Sequence, residues 1–182
     1  RSGATAACAS DTVGLAASVS ARNDAPVATG SATLTAIDDD TADPAGATVS
    51  SLFSSNFADS TVFDAAASTE IYTLAVLDAV PTSTAAQGTW QWKANGSNTW
   101  NDIATSGLSD DNALFLASNT TLRFVPADNF NGTPGSLTTR LVDDSATTTP
   151  TNGSTVDADP NGTTTAFSSD TVALATSVNA LN

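Results

Sequence analysis

Histidine and methionine are absent from this 182-residue chain, and lysine occurs once, at Lys93. Without histidine there is no Ser-His-Asp or Cys-His relay and no imidazole to ligate a metal. With a single lysine and no GxxxxGK[ST] pattern, a lysine-based phosphate cradle is excluded. Cys8 stands alone, so an intrachain disulfide and a CxxC metal site are excluded too. Basic residues number 5 against 19 acidic ones, a net charge of −14. Nucleic acid and anionic membrane surfaces both select clustered Lys and Arg, so neither is an expected partner. No run approaches the roughly 18 apolar residues of a membrane span, and no membrane insertion is expected.

Charged residues make up 13 % of the chain, about half the globular norm. Ala, Thr, Ser, Asn and Asp take their place, and Glu70 is the one glutamate. This composition is consistent with a secreted bacterial surface protein. The chain opens mid-pattern at Arg1-Ser2-Gly3 with no signal-peptide pattern, and is expected to be a piece of something longer.

An internal repeat organises what is there. Residues 169–182 (SDTVALATSVNALN) match residues 10–23 (SDTVGLAASVSARN) at ten of fourteen positions, without gaps, at an offset of 159 residues. Gly3, Thr5 and Ala7 extend the match back to Gly162, Thr164 and Ala166. A period this long describes whole domains strung in a line rather than solenoid turns. Residues 1–23 then read either as the last strand of a preceding repeat or as the first strand of this one, with 24–182 as the module. The period exceeds the ~100 residues of an Ig-like domain, which suggests insertions at 54–83 and 145–162.

The pattern is β throughout. Val13, Leu15, Ala17 and Val19 alternate with small or polar residues, as do Val172, Leu174 and Val178. Further strands are expected at 32–37, 48–53, 71–77, 89–93, 99–103, 113–116, 121–125 and 137–142. A weak helix over 68–80 is disfavoured by its Thr, Ile, Tyr and Val. Asn95-Gly96 between Trp92 and Trp100 marks a hairpin with a type I′ turn. Trp90, Trp92 and Trp100 give one sheet face a large area, suited to core packing or to a stacking platform for a sugar. Many short strands between Gly, Pro, Asn and Asp turns indicate an all-β antiparallel β-sandwich.

Several phrases, in order over residues 23 to 182, resemble one family. Asn23-Asp24-Ala25-Pro26 resembles the inter-repeat junction of bacterial cadherin-like and VCBS-type tandem repeats. Gly88-Thr89-Trp90-Gln91-Trp92, with Gly96 and Trp100-Asn101-Asp102-Ile103, resembles their tryptophan hairpin. The closest match is Leu122-Arg123-Phe124-Val125-Pro126-Ala127-Asp128-Asn129-Phe130-Asn131-Gly132-Thr133, continuing into 137–143. Thr163 to Ser168 with Asp170-Thr171-Val172 resembles the closing strand. The resemblance implies an Ig-like or cadherin-like sandwich in a very large RTX-type adhesin. Such proteins are exported by type I secretion to the cell surface and used in attachment and biofilm formation. The chain departs from the pattern over 54–83, where the match is loose, and at Asp144, where the family is usually neutral.

The aspartates cluster at Asp38-Asp39-Asp40 with Asp43, at Asp110-Asp111, at Asp143-Asp144, and at Asp157 with Asp159. Adjacent carboxylates repel unless water or a cation screens them. Calcium suits them, because it takes six to eight oxygen ligands in flexible geometry; magnesium demands strict octahedra, and zinc lacks His and Cys partners. No EF-hand loop is present. Asp157-Ala158-Asp159-Pro160-Asn161-Gly162 has a D-x-D-x-N-G run without a closing acid, so it reads as a cation loop or a plain turn. The family resemblance implies that Asn23, Asp24, Asp143 and the Asp38–Asp40 run meet at a domain boundary and bind Ca²⁺ there. The alternative for all these residues is a solvated acidic surface that keeps the protein soluble.

Three function classes follow. The first is a non-enzymatic, calcium-stiffened extender whose partners are neighbouring repeats. The second is a module gripping a surface glycan or protein, or another copy of itself, through Trp90, Trp92, Trp100 or Tyr72. The third is an enzyme using paired carboxylates, but no feature singles out a raised-pKa acid, and the chain is expected not to be an enzyme. An isopeptide crosslink through Lys93 is a minor expectation against the simpler one that Lys93 extends into solvent.

Overall fold

Short apolar alternations separated by turn residues give short strands, and these make up nearly all of the regular structure. The computed structural model describes residues 16–18, 22–59, 73–78, 86–145 and 150–181. In chain order the described elements are β1 (Val27–Ala28), β2 (Ser31–Thr33), β3 (Ile37–Asp38), β4 (Ala47–Thr48), one helical turn α1 (Val49–Phe53), β5 (Phe57–Ala58), β6 (Thr73–Asp78), β7 (Gly88–Lys93), β8 (Asn101–Asp102), β9 (Ala113–Leu116), β10 (Thr121–Pro126), β11 (Leu137–Val142), β12 (Thr155–Val156), β13 (Val172–Ala175) and β14 (Val178–Asn179). The protein is all-β in this sense, with α1 as the sole helix among the described residues. No helix among them is long and apolar enough to cross a membrane. Val13, Leu15 and Val19 of the expected first strand, and Tyr72, lie outside the described residues.

Two larger sheets carry the fold. One has the order β4-β10-β7-β8, and the other β12-β9-β6-β11-β13-β2. Pairing is antiparallel except at two places: β13 runs parallel to β2, with Ala173 opposite Ser31, and β14 runs parallel to β3, with Val178 opposite Ile37. Strands β13 and β14 therefore run alongside β2 and β3 in the same direction. The segment 54–83, long enough to suggest an insertion, supplies β6, an interior strand of the six-stranded sheet.

Side chains of both sheets meet in one core. Trp90, Leu122 and Phe124 come from the four-stranded sheet; Val76, Leu116, Leu137, Leu141, Val172 and Leu174 come from the six-stranded one. The Trp90 ring meets Phe124 edge-on at 5.3 Å, and its Nε1–H donates to the Gly135 carbonyl at 2.8 Å. That bond lets an indole be buried without stranding its donor. A second, smaller cluster of Ala113, Phe115, Val142, Ala158 and Ala166 covers the other face of the six-stranded sheet. All four residues of β9 are consequently buried.

Three expectations need correction. Residues 48–53 are not a strand: Thr48 caps α1 by accepting from the Ser51 N–H, and Val49 and Phe53, four residues apart, bury together on one helical face. The hairpin exists, but its turn is not type I′. Ser97 N–H donates to Ala94 O at 3.0 Å, and of the two central residues only Gly96 has positive φ, whereas type I′ requires both. Strand pairing resumes only at Trp92 opposite Asn101. Finally, the tryptophans do not share a face. Trp90 is buried in the core, whereas Trp100 packs with Arg123 and Lys93, whose strand neighbours Leu122, Phe124 and Trp92 point inward.

Candidate functional site

The residues singled out by sequence divide between two ends of the fold. At one end, β11 delivers Asp143 just past its last residue, where Val142 bridges to Phe167. Asp143 is 3 % exposed. Its Oδ1 accepts from the Ser145 N–H at 2.9 Å and from Ser145 Oγ at 2.5 Å, an Asx turn. Its Oδ2 accepts from Asn23 Nδ2 at 3.2 Å. The same Asn23 amide donates to the Thr165 carbonyl at 3.0 Å, while Asn23 Oδ1 is buried with no hydrogen-bond partner among the described residues. Burial raises the Asp143 pKa above the usual carboxylate value; the Ser145 and Asn23 bonds act against the rise, and the neighbouring Asp144 charge adds to it.

Asp24 and Asp144 are exposed beside this contact. Asp157 and Asp159 are exposed as well, and the Asp159 N–H donates to Asp157 Oδ1 at 2.9 Å, so this run forms a turn. With Asn23, Ser145, Thr165 and Phe167 they line a cleft of about 630 Å³. The structure thus brings Asn23, Asp143, Asp157 and Asp159 to one end.

The Asp38–Asp40 run lies at the other end, where β14 finishes. Asp38 Oδ1 accepts from Asn179 Nδ2 at 3.2 Å. Asp39, 7 % exposed, accepts from the Leu181 N–H at 2.8 Å. Asp40 is exposed, with φ of 60°. Within one module this run does not meet Asn23 or Asp143. Among the described residues no three acidic side chains converge closely enough to hold a metal ion.

Two other acidic clusters are occupied by arginine. Arg140, largely buried, donates from Nε to Asp110 Oδ1 at 2.6 Å and from its other guanidinium nitrogens to Asp110 Oδ2 and to the carbonyls of Ser168 and Ser169. Arg123 pairs with Asp43, donates from Nε to Gln91 Oε1 at 2.9 Å, and stacks 3.8 Å over the Trp100 ring. Lys93 Nζ lies 4.5 Å from the same ring rather than extending freely into solvent. Of the expected sugar platform, Trp90 is 1 % exposed and offers no face, Trp92 packs against the core and Gly153, and Trp100 already carries two cations.

Sequence reasoning missed Ser145, Thr165, Asn179 and Leu181. Ser145 had a signal, because Asp followed two residues later by Ser is an Asx-turn pattern. Thr165 and Leu181 act through backbone atoms, which carry no mark in sequence. The chain matches no family model, no curated protein and no solved structure.

Proposed function

We propose that the chain is a non-enzymatic module of a large, secreted bacterial surface adhesin. In this reading it is an Ig-like or cadherin-like β-sandwich repeated in tandem, and calcium at the junctions stiffens the array. One observation supports it above the others, the correspondence between the two ends of the module. The repeat offset aligns Asn182 with Asn23 and Leu181 with Arg22. Asp39 holds the backbone of residue 181 at one end, and Asn23 binds Asp143 at the other.

In an array, Asp39 of one module would therefore grip the residue immediately before the asparagine that binds Asp143 of the next. One peptide unit separates the two contacts. The Asp38–Asp40 turn of the first module and Asn23, Asp24, Asp143 and Asp144 of the second come to the same junction, with Asp157 and Asp159 across the cleft. That junction offers many carboxylate and carbonyl oxygens, the ligands Ca²⁺ prefers. Without a cation the charges push the modules apart; with one they are tied, and each bound ion adds about 2.7 kcal/mol at a hundred times its Kd. Export by type I secretion and a role in attachment or biofilm formation belong to the same reading.

The test is a calorimetric calcium titration of two linked repeats beside one, with melting curves in calcium and in EDTA. The linked pair is expected to bind at least one more ion than twice the single module, and to melt higher in calcium. Absence of binding heat, with superimposable melting curves in both buffers, overturns the reading.

A further inference from the structure

Asn is followed by Gly at four places: Asn95-Gly96, Asn131-Gly132, Asn152-Gly153 and Asn161-Gly162. The pair carries an intrinsic reaction. The Asn side chain is short enough for the next backbone nitrogen to close a succinimide ring on its Cγ, and glycine puts no Cβ in the way. Closure requires that nitrogen to give up its proton and its peptide plane to turn. A glycine N–H held by an acceptor does neither without losing its hydrogen bond.

The fold restrains three of the four pairs. Gly132 N–H donates to the Val178 carbonyl at 2.9 Å, and Val178 N–H donates back to Gly132 O at 2.8 Å. Gly153 N–H donates to Phe115 O at 2.8 Å. The Asn152 side chain is fixed as well, its Oδ1 accepting from the Ala117 N–H and from Thr120 Oγ1. Gly162 N–H donates to Phe167 O at 2.8 Å. At the β7–β8 hairpin the Gly96 N–H has no acceptor among the described residues, and a Cβ built on Gly96 would meet nothing within 4 Å. Asn95 and Gly96 are exposed, but so are Asn131 and Gly132. The free N–H, not exposure, sets the hairpin pair apart.

We infer that Asn95 is a self-modification site, at which the folded protein converts a hairpin amide into a carboxylate. The deprotonated Gly96 nitrogen attacks Asn95 Cγ and forms the new C–N bond, and the side-chain nitrogen leaves with the proton as ammonia. Water then opens the succinimide. Breaking the bond from the Gly96 nitrogen to Cγ gives aspartate. Breaking its bond to the Asn95 backbone carbonyl carbon gives isoaspartate, with the chain rerouted through Cβ. Water is the only co-reactant, and nothing is oxidised or reduced. Either product adds a negative charge to the loop that follows Lys93. The turn bond from Ser97 N–H to Ala94 O spans the altered peptide, while β7 and β8 stay paired at Gln91–Asp102 and Trp92–Asn101. The hairpin tip thus gains charge irreversibly with age while the core beneath it is untouched. The inference does not depend on the calcium or adhesin reading.

The experiment incubates the full chain at mildly alkaline pH, once folded in buffer and once unfolded in urea, and maps its peptides by mass spectrometry over time. Each event adds about 1 Da, and isoaspartate separates from aspartate by elution. In the folded chain Asn95 is expected to convert about tenfold faster than Asn131, Asn152 or Asn161, the weight of one retained backbone hydrogen bond. In urea the four rates are expected to converge, because the sequence pair is the same and the acceptors are gone. Asn95→Gln is expected to abolish the fast product and leave the other three sites unchanged. The converted protein is expected to melt with the unconverted one. Equal folded-state rates at Asn95 and Asn131 overturn the inference, as does a folded chain in which Asn95 is inert while it reacts in urea. A converted protein that no longer folds overturns the claim that the core is untouched.

Discussion

Asn23 and Asp143 are 120 residues apart in sequence and joined by a side-chain hydrogen bond of 3.2 Å, with the same amide bound to the Thr165 carbonyl. Asn23→Ala removes both bonds and leaves the buried Asp143 oxygen one donor short. A loss of about 1–3 kcal/mol is expected, read from urea unfolding. Asn23→Asp is expected to cost more, since it places a second carboxylate against Asp143.

Asp143 also gives a pH signature. Its folded-state pKa is raised by burial, so between the ordinary carboxylate value and the raised one the native state holds more protons than the unfolded state. This group's contribution is therefore full at low pH and is lost as pH rises through the folded pKa. Asp143→Asn removes the dependence. The stability of the natural chain relative to this variant is expected to fall from about pH 4 upward, measured by melting at stepped pH in EDTA. Calcium that binds the ionised carboxylate would flatten the fall.

Arg140 ties three segments that are distant in sequence: β11, the turn at Asp110 and the backbone of Ser168 and Ser169. Arg140→Ala is expected to cost about 2–4 kcal/mol, because a buried set of charge-assisted bonds disappears at once. Asp110→Ala is expected to cost about 1 kcal/mol or less, because that carboxylate is partly in water and Arg140 keeps two carbonyls. Equal losses in parallel denaturant titrations would contradict this ranking.

Gly153 has φ of 84°, and a Cβ built there would lie 2.3 Å from Trp92 Cη2. Gly153→Ala therefore meets both a strained backbone and a ring that cannot withdraw into a filled core. A loss of about 1–3 kcal/mol is expected by thermal melting, with a change in Trp92 emission. Gly96→Ala in the hairpin meets open space, and carries the backbone strain alone.

Strands β9 and β11 coincide with the sequence expectation to the residue, because their apolar runs end abruptly in turn residues. The segment at Thr48 was ambiguous for the opposite reason: Val49, Leu52 and Phe53 suit a strand by residue type and one helical turn by spacing, and the cap at Thr48 decides. The acidic clusters were legible as clusters, but not in their use. Asp43 and Asp110 stood out only as members of acidic clusters, because the arginines that neutralise them sit on strands 80 and 30 residues further along. The Asn23–Asp143 contact could not come from periodicity or local spacing, because its halves stand 120 residues apart, before β1 and just after β11.

The parallel pairing of β13–β14 with β2–β3 has a mechanical consequence. The chain enters near Asn23 at one end of the module and leaves past Leu181 at the other, and between them β2–β3 and β13–β14 run side by side in the same direction. Tension along the protein slides these strands lengthwise, so the bonds from Leu34 N–H to Ala175 O, Ile37 N–H to Ser177 O and Asp39 N–H to Asn179 O share the load together instead of tearing one after another. A tether built from such links yields in abrupt steps, one link at a time, and holds its length until each step.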